Sequence, residues 1–193
     1  TMTQLLSLFN KASTNRTITV AAPMVAQSDL AFRQLCRQNG CDVAYTQMIH
    51  ANNFMKSKQF QLNHLDVYPT NYGSIHHEHG PIVVQLAGHN VDSMVNSALR
   101  ILELTEGNVN AIDLNLGCPQ SIARKGRYGA FLFMEDCENN HNDGDHRNSI
   151  ICDMIHHLRQ ALPKEVGVTA KIRILEDDLN DHAKLKHQMK MKK

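Results

Sequence analysis

Apolar and polar positions along this chain alternate between strand-like runs and stretches with helical spacing. The clearest strand is residues 81–88, PIVVQLAG, a nearly unbroken apolar run that is typical of a strand covered on both faces. Residues 91–104 follow it with apolar positions at helical spacing, behind a capping residue that is either Asn90 or Asp92. Repetition of this pair of elements predicts βα units around a parallel sheet, and therefore an α/β fold.

The whole chain supplies five such strands with three long helices. The strands are predicted at residues 17–23, 43–48, 81–88, 111–116 and 166–173, and the helices at 29–39, 91–104 and 148–162. Between them, residues 51–80 form a long excursion that predicts short helical pieces and a turn near 68–71. Residues 138–147 are polar and of low complexity, which predicts a disordered insertion.

Candidate chemistry begins where the fourth strand ends. Residues 111–132, AIDLNLGCPQSIARKGRYGAFL, place Cys118 directly before a proline, in a glycine-studded loop that neither a strand nor a simple helix continues. The carboxyl ends of parallel strands are where α/β folds build their active sites, so the pattern predicts a thiol presented to a cavity. The alternative is that Cys118 is a small buried hydrophobic residue, and the loop alone leaves the two interpretations about even.

Composition sets the outer limits of the interpretation. The chain has 193 residues, of which 42% are hydrophobic, and no apolar run near the ~18 residues of a membrane span, so we expect a soluble globular protein. The amino end shows no secretory signal, and five scattered cysteines favour a reducing compartment. A net charge of +1 argues neither for nor against a nucleic-acid partner.

The 12 histidines raise the question of a metal site, above all in the run His76-His77-Glu78-His79. This run lies in a glycine-flanked stretch without the i, i+4 spacing of a helical ligand pair or a matching distant pair. We therefore expect a solvated loop here and no metal.

The residues around Cys118 also carry a resemblance. The run Asp113-x-Asn115-x-Gly117-Cys118-Pro119-Gln120, followed by Tyr128-Gly129-Ala130-Phe131-Leu132, resembles the active-site motif of the tRNA-dihydrouridine synthases, and is most similar to the eukaryotic branch that acts on D-loop uridines. Flavin barrels that act on free pyrimidines or dihydroorotate carry a similar loop, typically with serine where this chain has Gly117. The resemblance extends from about Val20 to Arg173.

This resemblance implies a (β/α)8 TIM barrel, of which the chain supplies about the first five βα units, since a complete barrel takes about 250 residues. It divides the chain into an amino-terminal extension (1–16), a partial flavin-binding catalytic domain (17–176) and an atypical polar and basic tail (177–193). The chain is expected to be truncated after its fifth strand. A cytoplasmic location is expected, with the nucleus as the alternative.

The resemblance also implies the reaction: reduction of uridine in tRNA to 5,6-dihydrouridine, with FMN as cofactor, NADPH or NADH as reductant and tRNA as partner. Cys118 would be the acid that protonates C5 of a base flipped out of its stack. The flavin would be bound by Pro23, Met24, Val25, Gln85 and Lys171, and the substrate by Asn115, Arg127 and Tyr128. His50 is a weaker candidate.

Two of these assignments also have support from the residues themselves. Gln85 is an amide inside an apolar strand, and burying it without partners would cost about 2–7 kcal/mol, so it should face a ligand or a polar network. Lys171 in the fifth strand needs an anionic partner, and a reduced flavin carries such a charge. We expect Gln85 and Lys171 at adjacent positions of the sheet.

Two other functions stay open at this point. One is a flavin enzyme of the same superfamily that acts on a free pyrimidine, of the dihydroorotate or dihydropyrimidine type. The other is an inactive truncated product.

Overall fold

The computed structural model describes residues 5–8, 17–72, 78–140 and 149–173. Its strands are β1 (Val20–Ala21), β2 (Val43–Tyr45), β3 (Ile49–His50), β4 (Ile82–Ala87), β5 (Ala111–Leu116) and β6 (Gly167–Ile172). Its helices are α1 (Leu30–Gln38), α2 (Ala51–Lys56), α3 (Lys58–His64), α4 (Val91–Leu104), α5 (Ser121–Lys125), α6 (Ala130–Asn140) and α7 (Ile150–Ala161).

All of these strands pair in parallel, in the order β1-β2-β4-β5-β6, and the short β3 pairs with the carboxyl end of β4. Strands that are neighbours in the sheet are therefore successive along the chain, apart from β3. This singly wound order, with helices between the strands, is the arrangement of a (β/α)8 barrel. The predicted α/β class and the partial barrel are confirmed.

The two faces of β4 and β5 have different roles. On the outer face, Val84, Leu86 and Ile112 join the main hydrophobic core, which also contains Met94 and Ile101 of α4. The inner face of the same strands carries the polar side chains of Gln85, Asp113 and Asn115, together with apolar residues such as Val83 and Ala111. Because side chains alternate across a strand, the three polar residues are directed into the barrel interior and away from the helices.

The helix boundaries follow their capping residues closely. Asp29 accepts a hydrogen bond from the Phe32 backbone N–H at the start of α1, and Ser149 accepts one from the Cys152 N–H at the start of α7. For α4 the cap is Asn90, whose side chain accepts from the Ser93 N–H at 2.8 Å. The sequence had left Asn90 and Asp92 open.

The first two strands are shorter than predicted. The segment predicted as 17–23 forms a strand only at Val20–Ala21, and the segment predicted as 43–48 ends at Tyr45. At the next position the Thr46 hydroxyl, in place of a backbone carbonyl, accepts the Gln85 backbone N–H at 3.3 Å. This side-chain bond replaces a ladder bond, and pairing with β4 resumes only in β3.

The loop after β5 contains helical structure that the glycines had argued against. Helix α5 fits between Pro119 and Gly126, and Gly126 is its C-cap. Helix α6 begins directly after Gly129, whose φ of +70° lies in the region that favours glycine. The glycines therefore mark the ends of two helices that the sequence analysis did not predict.

The excursion 51–80 contains two short helices, α2 and α3, and a turn in which the Tyr72 N–H donates to the Pro69 carbonyl at 3.0 Å, as predicted. Of the predicted insertion, residues 138–140 complete α6, and 141–147 lie outside the described residues. The predicted tail 177–193 also lies outside them, as does the extension 1–16 apart from residues 5–8. There, Leu5 is buried against Val43, Val83 and Ala111.

Glu78, the acidic residue of the histidine-rich run, does not lie in a solvated loop. Its carboxylate is 5% exposed and forms an ion pair with Arg33 at 2.9 Å, and the Arg33 side chain is completely buried. The expectation of a solvated loop is wrong at this position, because a cation buried on α1 draws the carboxylate inward. Residues 73–77 lie outside the described part of the chain.

Candidate functional site

A cavity of about 500 Å³ opens at the carboxyl ends of the strands. Its volume lies within the range of small-molecule sites, and its position is the one that barrel enzymes use. Four segments form most of its wall: the loop after β1, the end of β4, the loop after β5 and the end of β6. The lining residues are Pro23, Met24, Val25, Gln27, Met48, Gln85, Asn115, Gly117, Cys118, Pro119, Gln120, Ile122, Tyr128, Lys171 and Arg173.

The loop after β1 is held in place by its own hydrogen bonds. The Ser28 hydroxyl accepts the Met24 N–H at 2.9 Å and donates to the Ala22 carbonyl at 2.8 Å. The Met24 carbonyl in turn accepts the backbone N–H groups of Gln27 and Ser28. Met24 is therefore fixed by backbone contacts, and the neighbouring Val25 is 63% exposed.

Cys118 is half-buried, and its backbone is held from two sides. The Asn115 side-chain oxygen accepts the N–H groups of Gly117 and Cys118 at 3.2 and 3.1 Å. The Cys118 carbonyl accepts the Ala130 N–H at 3.0 Å, at the start of α6. Because both peptide groups of Cys118 are bonded, the backbone that carries the thiol has a defined position in the cavity wall.

Gly129 provides the space for this arrangement. A Cβ at this position would lie 2.6 Å from the Cys118 carbonyl oxygen and 2.9 Å from the Cys118 Cβ. Its N–H donates to the Asn115 carbonyl at 3.1 Å. Only glycine allows this close approach, so Gly129 is a site residue that the sequence analysis treated merely as a loop former.

Tyr128 is 4% exposed, and its ring meets that of His50 edge-on with centroids 5.6 Å apart. Burial raises the pKa of the Tyr128 phenol, and negative charge on Cys118 raises it further. Burial also lowers the pKa of His50, with a smaller contribution from His89. Tyr128 is therefore a protonated hydroxyl beside the thiol at neutral pH.

Four polar side chains of the inner strand faces form one hydrogen-bonded chain. Asn115 Nδ2 donates to Gln85 Oε1 at 3.0 Å, and Gln85 Nε2 donates to Asp113 Oδ2 at 2.8 Å. The Thr169 hydroxyl donates to the other oxygen of Asp113 at 2.6 Å. Gln85 thus has the polar network that its place in an apolar strand requires.

Lys171 and Arg173 bring positive charge to the end of β6. Both line the cavity, and Arg173 Nε donates to the Gly117 carbonyl at 3.2 Å. The predicted adjacency of Lys171 and Gln85 is wrong, because β5 lies between their strands: Lys171 is in register with Asn115, and Gln85 with Asp113. Both still reach one cavity, since alternate residues of parallel strands share a face.

Asp113 is the most deeply buried carboxylate beside this cavity, at 1% exposure. Burial raises its pKa, while the hydrogen bonds from Gln85 and Thr169 and the charge of Lys171 act in the opposite direction. In the sequence, Asp113 stands out only as part of the motif around Cys118. Its spacing of two from Asn115 was the available signal, because it puts both residues on one face of β5.

Eight of the nine predicted site residues line the same cavity, namely Pro23, Met24, Val25, Gln85, Asn115, Cys118, Tyr128 and Lys171. Arg127 is not among the described lining residues. It is exposed, with φ of +49°, and forms an ion pair with Glu135 at 2.9 Å. Arg173, Gly129 and Asp113 are the site residues that the prediction missed.

The described ranges contain neither a candidate metal cluster nor a candidate membrane-spanning helix. No group of three or more histidine, cysteine, aspartate or glutamate side chains there could hold a metal ion. Among the helices of those ranges, none has the length and apolarity needed to cross a bilayer.

Several known proteins are similar to this chain in sequence. A tRNA-dihydrouridine(16/17) synthase of Saccharomyces cerevisiae, with NAD(P)(+) in its name, is 38% identical over 174 residues, which cover 88% of this chain and 34% of the yeast protein. A similarly named protein of Rattus norvegicus is 38% identical over 160 residues, covering 82% of this chain and 31% of its own length. A tRNA-dihydrouridine(20a/20b) synthase of S. cerevisiae is 28% identical over 162 residues, covering 83% of this chain and 37% of that protein.

The chain thus spans about a third of the length of the curated relatives it matches. The family model described as dihydrouridine synthase matches residues 19–191, nearly the whole sequence. The chain therefore belongs to the dihydrouridine synthase family.

Proposed function

We propose that the protein containing this chain reduces uridine in the D-loop of tRNA to 5,6-dihydrouridine, with NAD(P)H as electron source and bound FMN as cofactor. The observation that carries the proposal is the position of Cys118, a thiol in the wall of a cavity at the carboxyl ends of parallel strands. The names of the relatives supply the substrate class and the coenzyme. This substrate would place the protein in the cytoplasm or the nucleus.

The residues of the cavity fit a flavin. Its volume of about 500 Å³ accommodates a tricyclic ring, and Pro23, Met24 and Met48 offer apolar wall for it. The amides of Gln85 and Asn115 can each donate one further N–H, because each nitrogen carries two hydrogens and uses one in the network. Lys171 adds a cation that suits the negative pyrimidine edge of a reduced flavin.

When bound and reduced, the flavin supplies a hydride for C6 of the uracil ring. The chain's own part is to provide the proton for C5, and Cys118 is placed to do so. A positioned cysteine thiol is one of the side chains that act as general acids in enzymes. One S–H bond breaks and one C–H bond forms, and the resulting thiolate regains a proton from solvent.

Other residues hold the reactants. Asn115 fixes the backbone at Cys118, and Tyr128 closes the cavity beside the thiol. The target base has to leave its stack to enter a cavity of this depth. Arg127 would contact tRNA at the protein surface, since its exposed guanidinium lies on the same loop as Tyr128 and its pairing with Glu135 leaves it exposed.

The test compares variants of the full-length gene product on unmodified tRNA, with dihydrouridine measured by mass spectrometry. Cys118→Ala should keep flavin absorbance and slow product formation by about 10²–10⁴-fold, the usual effect of losing a general acid. Lys171→Met should instead lower flavin occupancy and slow flavin reduction. Cys152→Ala is the matched control, because Cys152 is exposed on α7 and lies outside the cavity wall.

Unchanged turnover in Cys118→Ala would remove this thiol from the mechanism. Faster reduction of free uracil, or faster oxidation of dihydroorotate, than reduction of tRNA by the wild-type protein would refute the substrate class.

A further inference from the structure

We infer that Asp113 is a positioning residue for Cys118: its carboxylate sets the orientation of the Gln85 and Asn115 amides, and through them the backbone that presents the thiol. This inference rests on the proposed function, in which Cys118 is the acid. Asp113 itself does not line the cavity among the described residues, so it acts through its neighbours.

The relay consists of consecutive hydrogen bonds between β4, β5 and the loop after β5. Asp113 accepts from Gln85 at 2.8 Å, Gln85 accepts from Asn115 at 3.0 Å, and Asn115 accepts from the N–H groups of Gly117 and Cys118 at 3.2 and 3.1 Å. Gln85 and Asp113 are each 1% exposed, so little water reaches the bond between them to replace a lost partner. Each bond therefore constrains the next one.

The hydrogen-bonding groups at the two ends of the relay require the same orientation of the Gln85 and Asn115 amides. Backbone N–H groups can only donate, so the Asn115 oxygen must face Cys118 and its nitrogen must face Gln85. At the other end, an ionised carboxylate can only accept, so the Gln85 nitrogen must face Asp113 and its oxygen must face Asn115. An amide can rotate by 180° at little cost in shape, and Asp113 removes that freedom from Gln85.

Stability does not account for a carboxylate at this place. Burial raises the pKa of Asp113, which means that the folded protein holds the ionised form less readily than water does. The bonds from Gln85 and Thr169 and the charge of Lys171 offset part of this burden. An apolar residue would avoid the cost of desolvation, but it could not orient Gln85.

Loss of the carboxylate should therefore act on the thiol and not on tRNA affinity. With no acceptor at position 113, Gln85 can reverse, and the reversed amide places its nitrogen against the nitrogen of Asn115. Asn115 then loses the acceptor of its amide nitrogen, and only the two bonds from the Gly117 and Cys118 N–H groups to its oxygen still hold it. The backbone that presents the thiol is therefore held less firmly at the position from which a proton is delivered.

The first experiment measures the thiol directly, in flavin-free full-length protein. The rate of Cys118 alkylation by iodoacetamide is followed by peptide mass spectrometry, with Cys36 and Cys152 as internal standards. Asp113→Leu, similar in size but without an acceptor, should raise the Cys118 rate by about threefold to tenfold, the factor that corresponds to one hydrogen bond. The two standards should keep their rates.

Two variants provide matched comparisons. Asp113→Asn should restore the wild-type rate, because its oxygen can accept from Gln85 while its nitrogen donates to the Thr169 hydroxyl, which can accept as well as donate. Thr169→Val removes the other partner of Asp113 and leaves the relay intact, so it should stay near wild type. If Asp113→Leu does not fold, Gln85→Met breaks the relay one bond further along and should raise the Cys118 rate equally.

The second experiment measures turnover. Asp113→Leu should lower kcat by about tenfold to a hundredfold, the effect of a misplaced catalytic group, with KM for tRNA unchanged. Asp113→Asn should have a kcat close to that of the wild type. The inference is overturned if alkylation of Cys118 is unchanged in Asp113→Leu or Gln85→Met, if the internal standards accelerate to the same extent, or if KM changes in place of kcat.

The two readouts separate this inference from the proposed function. If wild-type protein does not act on tRNA, the proposed function fails, while alkylation in the flavin-free protein still decides whether Asp113 positions Cys118.

Discussion

Replacing Arg33 with methionine should destabilise the barrel strongly, because it removes a cation that is completely buried. The Arg33 guanidinium bonds to Asp66 at 2.8 Å and to Glu78 at 2.9 Å, and it donates to the carbonyls of Ser28 and Asp66. Burial acts to lower the pKa of Arg33, but the two carboxylates outweigh it, and the pKa is raised. The guanidinium is therefore charged and fully paired.

The magnitude follows from what the substitution leaves behind. Removing one partner of a buried ion pair typically costs about 3–5 kcal/mol, because the other charge stays buried and uncompensated. Here Glu78 would remain 5% exposed, with Arg37 Nη2 at 3.9 Å, and Asp66 is 23% exposed and can reach water. Because both carboxylates are partly compensated in this way, we expect Arg33→Met to lower the free energy of unfolding by about 3 kcal/mol, the lower limit of that range.

The assay is urea unfolding of the full-length gene product, in which unfolding is monitored by hydrogen exchange in peptides from α1 and β4. Arg100→Met is the matched control: its pair with Glu103 at 2.6 Å lies on the surface, and its loss should cost less than about 1 kcal/mol. A double-mutant cycle with Glu78→Gln should show that Arg33→Met costs less once the carboxylate is gone. A loss below about 1 kcal/mol for Arg33→Met, or additive effects in the cycle, would refute the reasoning.

Two further predictions concern the site. Gly129→Ala should abolish activity and destabilise the protein, because the added Cβ would lie 2.6 Å from the Cys118 carbonyl oxygen. Gly107→Ala is the control: its φ is +76° and a Cβ there has nothing within 4 Å, so it should cost only the strain of the left-handed backbone, about 1–2 kcal/mol. Equal losses of unfolding free energy for the two variants in urea would contradict this prediction. Because the pKa of Asp113 is raised in the folded state, the folded protein binds more protons than the unfolded chain just above the unfolded pKa of about 4. In this pH range, the unfolding free energy of the wild type should therefore fall with rising pH relative to that of Asp113→Asn. A difference in unfolding free energy between the two proteins that does not change with pH would argue against a raised pKa of Asp113.

Much of the fold could be predicted from the sequence, because the signals that specify it are local. The nearly unbroken apolar run of β4 indicated a strand buried on both faces, and all six of its residues are buried. Capping residues and Pro163 placed the helix ends of α1, α4 and α7 within two residues of the observed ones. The site could be predicted in part for the same reason, since the loop after a parallel strand must lie at the carboxyl edge of the sheet.

Where the prediction failed, a distant partner decided the outcome. The second predicted strand breaks because Thr46 uses its hydroxyl to bond the backbone of Gln85, 39 positions away. Glu78 leaves the solvent because Arg33, on another element, needs a partner. Neither contact has a signature in the residues next to it.

The sequence by itself thus determined the order of the five predicted strands and the three predicted helices, the approximate ends of those helices and the place of Cys118 at a strand end. These depend on periodicity, on capping and on the conformational limits of proline and glycine, all of which act over a few residues. Only the tertiary structure decided that β5 separates Gln85 from Lys171, that Arg127 stays out of the cavity wall, and that Asp113 orients the amides behind the thiol. Those outcomes depend on sheet register and on burial, which arise when segments far apart in the chain come together.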